Sequence, residues 1–413
     1  MDRTSWIAII ISVIGLFAWQ WYVSEHLAPP HAAPAQVSAA TPPPAPAPEP
    51  TASATPSPAA MTAVKESLKS EGAEFVFNND TGGIEQVVLG MHMGENKEHV
   101  SLNRSRLLPI GAIGFEPGEA LCGFSMSTDR AKGAAVFILT RQDGLEITKR
   151  FQLPPPDDKT KSYIVTLDIS FRNTGSTAIQ VPDYFVAAGG AAPIHIHDLP
   201  LYTRFDWGHA NAMSNIDVNW FSASSVPLIG IQIHGERDLY EETKPEIRWA
   251  AVASQYFCTI LTPQGNAPVK SVWAKRFDAP PLEGKHVFGI KGGLVQGGLS
   301  LAPGAVETRS FQIYSGPKEL KRLRQLGPTQ DKVMNYGIFG FVSEFLLWAM
   351  NSLHALIGNY AWSIIVLTLL IKTALWPIQN KATNEMRRMS LLSPKMTEMR
   401  EKYKDDPQKM NQE

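Results

Sequence analysis

Cysteine is nearly absent: Cys122 and Cys258 are the only two in 413 residues. That excludes a disulfide framework and a four-cysteine zinc site, and leaves either one bridge or two separate thiols. Charge is also scarce. Asp, Glu, Lys and Arg make up 19% of the chain, below the roughly 25% usual in soluble proteins. Such a deficit points to membrane segments or an uncharged linker. Neither sign is in excess, with 38 Lys+Arg against 39 Asp+Glu, which excludes the broad basic footprint of a nucleic-acid binder. The G-x-S-x-G and H-E-x-x-H signatures are missing too. What remains is a chain long enough for two or three domains, 44% hydrophobic, in which 31 prolines and 31 glycines are unevenly spread.

Residues 5–23 carry no charge and would span about 28 Å as a helix, the thickness of a bilayer core. Trp19, Trp21 and Tyr22 sit at one end, where amphipathic rings favour the membrane interface. A cleaved signal peptide is the alternative. The run is long for one, and Pro29 and Pro30 follow where a peptidase needs a small, extended site. No cysteine follows for a lipid anchor, so residues 1–27 read as an uncleaved transmembrane anchor. Asp2 cancels Arg3 and leaves its orientation open. Residues 28–61 are mainly Ala, Pro, Ser and Thr with one charge, Glu49. Proline fixes φ and lacks an N–H, so this stretch reads as a semi-extended spacer.

From 62 to 325 the dominant period is two. Val165, Leu167, Ile169 and Phe171 alternate with Thr166, Asp168 and Ser170, the pattern of a half-buried strand. Residues 134–140 and 145–151 flank Gln142-Asp143-Gly144, a hairpin signal, and 75–77 and 84–89 flank a second turn rich in Asn, Asp and Gly. Many short strands with such turns predict a large antiparallel sandwich with its own core. Its chemistry is sparse. His195 and His197, beside Asp198, would share one face of a strand and make half a metal site, but no further His or Cys cluster accompanies them. A polar strand face is the better reading. The glycine-rich residues 289–298 lack the context of a phosphate loop and read as turns. Glu241 and Glu242 lie in a polar run and read as solvated surface.

The last hundred residues change character. A basic helical stretch begins after Pro317. Residues 338–357 are apolar, but Glu344, Asn351 and His354 interrupt them within about a quarter-turn of the helical wheel. That is the pattern of an amphipathic helix lying in the interface, over 336–358. A second spanning helix is expected over 360–380. After it come Lys381, Arg387, Arg388, Lys395, Arg400 and others, which mark the cytoplasmic side. A third span would strand the basic tail outside or the β body inside, so two spans are preferred. This puts the N-terminus in the cytoplasm, residues 28–358 outside it, and residues after 380 inside. One ionisable residue, Lys372, interrupts the second span, with Thr368 one turn before it on the same face. Either the ammonium snorkels to the cytoplasmic end, or it faces a wet cavity. Residues 381–413 read as the start of a helical hairpin cut in its second arm, so the chain reads as incomplete.

Three stretches, YGIFGF (336–341), IGNYAWSIIVLTLLIKTALWPIQNKA (357–382) and MSLLSPKMTEMREKYKDDPQK (389–409), resemble the YidC membrane protein insertase family of Gram-negative-type bacteria. The order of anchor, proline-rich linker, β body and terminal helices resembles it as well. The resemblance implies a membrane protein of mixed class: a large all-β periplasmic supersandwich, α-helical transmembrane segments and a cytoplasmic helical hairpin. It implies that five spanning helices follow the periplasmic domain and form a hydrophilic groove, open to cytoplasm and lipid. There a single basic residue, usually arginine, meets the polar tail of an incoming membrane protein. Lys372 occupies that position here and lacks the bidentate fork of arginine. Thr368 matches a groove-lining position, and Arg387, Arg388, Lys395 and Arg400 match the cytoplasmic hairpin. The implied location is the bacterial inner membrane. The implied partners are nascent integral membrane proteins, the lipid bilayer, the Sec translocon and the ribosome, with no nucleic acid as substrate. No cofactor, no metal and no bond-making chemistry are implied. The rival expectation is a membrane-anchored periplasmic carbohydrate-binding or epimerising protein with its site near His195, His197 and Asp198. A scaffold that gathers partners through the spacer is a third.

Overall fold

The computed structural model describes residues 64–402, apart from 95–96, 104–107, 156–160, 226–231, 266–268 and 338–339. The anchor expected at 1–27, the proline-rich spacer and the hairpin turn expected after residue 402 lie outside the described residues.

Alternation builds the sheets. In the strand Ile164–Asn173, Val165, Leu167, Ile169 and Phe171 are fully buried while Thr166 is exposed, as period two requires. The two hairpins form where turn chemistry placed them. Gly144 (φ 84°) closes the one between Ala134–Thr140 and Leu145–Gln152, and Gly82 (φ 59°) the one between Ala73–Asn78 and Gly83–Met93.

The largest sheet has nine strands, in the order Ala212–Asp217, Arg204–His209, Ile247–Ala253, Phe257–Gln264, Val306–Pro317, Ile164–Asn173, Leu145–Gln152, Ala134–Thr140 and Ser125–Asp129. A five-stranded sheet runs Tyr240–Glu242, Val269–Leu282, Lys285–Gln296, Tyr184–Ala191 and Ile113–Gly114. A four-stranded sheet takes Lys65–Lys69, Ala73–Asn78, Gly83–Met93 and His99–Leu102 in sequence order. Every pairing within these sheets is antiparallel. Phe205 of the first sheet, Val186 and Leu294 of the second and Phe75 and Phe77 of the third share one buried cluster. The sheets therefore stack around a common core.

Two local expectations change. Residues 289–296 are not turns but part of the strand Lys285–Gln296. A Cβ on Gly292 would stand 2.5 Å from the Trp273 carbonyl oxygen and 2.7 Å from the Phe205 ring. Glycine is used there because the neighbouring strand and the facing sheet come too close for any side chain. Residues 194–198 are likewise not a strand: Asp198 Oδ2 accepts from the N–H groups of Ile194 and His195 and folds them into a turn. Both cysteines are free thiols, Cys122 exposed and Cys258 buried.

After the last strand the chain becomes helical. α1 spans Leu320–Leu326 and a 3-10 helix spans Gln330–Met334. α2 spans Gly340–Ile357 and α3 spans Tyr360–Lys402. Both α2 and α3 contain stretches long and apolar enough to cross a bilayer, by length and composition.

Candidate functional site

α3 begins at a tight corner. Gly358, at φ 73°, reverses the chain after α2, and Asn359 caps the new helix, its Oδ1 accepting from the Ala361 N–H at 2.8 Å. His354 and Tyr360 stack across the corner with ring centroids 3.7 Å apart and planes 14° apart. The two helices pack on each other. The less exposed positions of the second, Ser363, Val366, Leu367 and Ile371, recur at three- and four-residue spacing, the stripe of a helix seam.

Thr368 and Lys372 are both exposed and stand on another face. At ~100° per residue Lys372 lies about half a turn from Ser363, and Thr368 stands one helical turn before it. The Thr368 hydroxyl donates to the Ile364 carbonyl at 2.7 Å, which leaves its lone pairs pointing outward as acceptors. An apolar helix thus presents one ammonium and one hydroxyl side by side, away from its packed neighbour.

α3 does not stop where the apolar run stops. It continues through Pro377 and Lys381 as one 43-residue helix. The spanning helix expected over 360–380 and the hairpin arm expected from 381 both lie in this single element. Pro377 leaves the Thr373 carbonyl without a helix donor. Arg387 is exposed on its surface, and Arg388, Lys395 and Arg400 fall further along the same helix.

The histidines belong elsewhere. His195 Nδ1 lies 3.5 Å from Asp198 Oδ1 and the ring meets Tyr256 edge-on at 6.2 Å. Among the described residues no group of three or more His, Cys, Asp or Glu gathers as metal ligands do. Glu242 accepts from the Tyr240 hydroxyl at 2.7 Å and pairs with Lys244 at 3.0 Å, while Glu241 is exposed.

One buried polar cluster lies outside the residues expected from the sequence. Arg204 and Asp206, buried at 1% and 0% exposure, pair at 3.1 Å through Arg204 Nη2 and Asp206 Oδ2. Nη2 also donates to the Val333 carbonyl at 3.2 Å. Burial pushes the Asp206 carboxyl above its ordinary range, while the Arg204 guanidinium pulls it back. Lys318 joins the cluster electrostatically: burial lowers it from 10.5 to about 8, against the pull of Asp206 and Cys258. Burial raises the Cys258 thiol to about 12. A signal was present in the sequence. Charges at i and i+2 of a strand share one face, and the neighbours Phe205 and Trp207 are apolar.

Comparison with known proteins bears on all of this. A family described as the YidC periplasmic domain matches residues 123–349, and one described as the 60Kd inner membrane protein matches residues 352–413. A membrane protein insertase YidC of Janthinobacterium sp. (strain Marseille) is 36% identical over 168 residues, covering 41% of this chain and 28% of its own length. A protein of the same name from Herminiimonas arsenicoxydans is 26% identical over 317 residues, covering 77% of this chain and 52% of its own. Among solved structures, an active YidC insertase with its first transmembrane domain resolved aligns at 13% identity and a TM-score of 0.28, covering 81% of this chain and 61% of that one. The chain thus spans about half the length, or less, of the curated relatives it matches. The periplasmic-domain match alone takes in more than half of the chain, residues 123–349 of 413, and with the adjoining inner-membrane match it shows that the chain belongs to the YidC family.

Proposed function

We propose that the protein is a membrane protein insertase of the bacterial inner membrane. The observation that carries this reading is the Thr368–Lys372 face: a cation and a hydroxyl on one exposed side of a membrane-length helix, turned away from the helix it packs against. A lysine in such a helix costs roughly 2.5–3.5 kcal/mol to place at mid-membrane on insertion scales. That cost is offset where the ammonium lines a wet groove and meets a polar or acidic client tail. Lys372 attracts an acidic tail, and the Thr368 oxygen, its proton already given to Ile364, accepts from the N–H and O–H groups of a polar one. The client's apolar helix then moves into lipid, and its hydrophobic transfer drives the step. No covalent bond changes in this scheme.

The finer picture is part of the same proposal. Residues 1–27 anchor the chain with the N-terminus in the cytoplasm, and 28–61 space the β domain from the membrane. The β domain lies in the periplasm and α2 lies along the interface. α3 crosses, and its basic stretch of Arg387, Arg388, Lys395 and Arg400 stands in the cytoplasm, following the excess of positive charge there. Nascent membrane proteins are the clients, with the Sec translocon and the ribosome as partners.

The test is insertion of clients with acidic translocated tails. Lys372→Ala is expected to slow them about tenfold, the effect of losing ~1.4 kcal/mol of attraction, whereas Lys372→Arg keeps the rate. Normal rates for every such client in Lys372→Ala would remove the groove charge from the mechanism.

A further inference from the structure

The segment that joins the β domain to α2 is docked against opposing forces. It leaves the sheet at Lys318, whose N–H donates to the Tyr256 carbonyl at 2.8 Å. It then runs along the strands Arg204–His209, Ile247–Ala253 and Phe257–Gln264. Leu323 and Val333 are its fully buried apolar contacts. Four side-chain bonds hold it: Trp249 Nε1 to Thr329 Oγ1 at 3.0 Å, Gln330 Nε2 to Thr262 Oγ1 at 3.0 Å, Lys332 Nζ to the Asn211 carbonyl at 2.7 Å and Arg204 Nη2 to the Val333 carbonyl at 3.2 Å. Water can replace each of them at little net loss.

Two independent features work against docking. The first is backbone strain. Thr329 (φ 68°) and Asn335 (φ 44°) bracket the 3-10 helix in left-handed conformations. That conformation is a genuine outlier for β-branched threonine and persists only where the surroundings enforce it. The second is buried charge. The segment covers the Arg204–Asp206 pair, and among the described residues no protein group bonds Arg204 Nε or Nη1, or Asp206 Oδ1. A buried pair with open bonding positions does not recover its desolvation, so lifting the segment returns solvation to both ions. Glycine joints flank the 3-10 helix. Gly327 (φ 155°) and Gly337 (φ 66°) hold conformations that glycine adopts freely.

We propose that residues 318–335 are a releasable strap, which leaves the nine-stranded sheet as a unit while the sheets stay folded. The strained Thr329 and the covered Arg204–Asp206 pair bias it toward release. Freed, residues 318–337 can reach roughly 65 Å when extended, and the β domain is then loosely tethered ahead of α2. This does not rest on the insertase reading.

Hydrogen–deuterium exchange on the full chain in lipid nanodiscs tests it. Strap amides, including those of Leu323 and Lys332, are expected to exchange on the order of 100-fold faster than amides of Ile164–Asn173, through openings that expose little surface. Arg204→Met combined with Asp206→Leu removes the charge at similar volume; it is made in a Lys318→Met background so that no buried ammonium loses its counter-ion. Strap exchange is expected to slow about tenfold relative to that background, the gain outweighing the lost Arg204 bond to Val333, in the direction seen when buried ion pairs become apolar. Thr329→Asn, which tolerates the left-handed conformation and keeps an acceptor for Trp249, is expected to slow it as well, and decides alone if the double variant does not fold. Strap amides exchanging at the rate of the strands in the unmodified protein, or no slowing in either variant, overturns the proposal.

Discussion

Lys149 shows how far a single side chain can depart from the habits of its type. It is fully buried in the strand Leu145–Gln152. Its Nζ donates to the Thr81 carbonyl at 2.9 Å and lies 4.1 Å from the Phe124 ring centroid. Burial lowers its pKa well below the ordinary value, opposed by Cys122. Lys318 is lowered for the same reason. A folded pKa below the unfolded one means that the unfolded chain holds more protons between the two, so stability rises with pH across that window. For Lys318 the window runs from about 8 to 10.5. Cys258 acts in the opposite sense. Its thiol is raised from 9.0 to about 12, so the unfolded chain ionises first and stability falls across that window. The tyrosines Tyr184, Tyr240 and Tyr314, all raised by burial, add to the fall above pH 10. Denaturant midpoints are therefore expected to climb from pH 8 to 9, level off, and decline beyond 10. The stability gap between the protein and Lys318→Met should change by about 3 kcal/mol between pH 7.5 and 10.5, at ~1.4 kcal/mol per unit. A gap that stays constant across that range would mean that Lys318 is solvated. Lys372 was legible in the sequence because a charge inside an apolar run has no neutral background to hide in. Arg204 was legible only in part: its spacing from Asp206 marks a shared strand face, but the carbonyl it reaches belongs to Val333, 129 positions away.

Among the elements, α3 owes its start to one side chain. Without the Asn359 side chain the Ala361 N–H loses its acceptor. Asn359→Ala is expected to weaken the helix start by about 1 kcal/mol, which appears as roughly fivefold faster amide exchange at Ala361–Ser363. Unchanged exchange there would show that the corner is held by the His354–Tyr360 stack instead. The strands and hairpins were legible element by element, because period two and Gly-Asp-Asn turns are local signals. The strand Lys285–Gln296 was not. Its glycines mimic turn chemistry, and only the approach of Trp273 and Phe205 reveals them as the residues that let two sheets close. The turn at 194–198 failed in the opposite sense: Asp198 fastens its own neighbours and overrides an alternation that looked like a strand.

At the scale of the whole molecule, a single buried cluster draws on all three large sheets. A fragment covering residues 62–335 is expected to fold alone and to unfold in one transition. Trp207 lies in the nine-stranded sheet and Trp273 in the five-stranded one, both buried, so their fluorescence reports the two sheets separately. Denaturation curves followed through Trp207 alone and Trp273 alone should coincide with far-UV circular dichroism. Separate midpoints would mean that the sheets are independent units. The order of β body and terminal helices could be read from composition and period. The stacking of the sheets could not, since it depends on contacts between strands distant in the chain.

The unbroken 43-residue helix has a mechanical consequence. At 1.5 Å per residue it is about 64 Å long, roughly twice the hydrocarbon thickness of a bilayer. A rod of that length set across a membrane behaves as a lever with its fulcrum in the lipid. In such a setting a lean of one arm would reach the other only through Pro377, where the helix lacks one of its bonds, so the arm beyond it could swing while the Thr368–Lys372 step stayed nearly still.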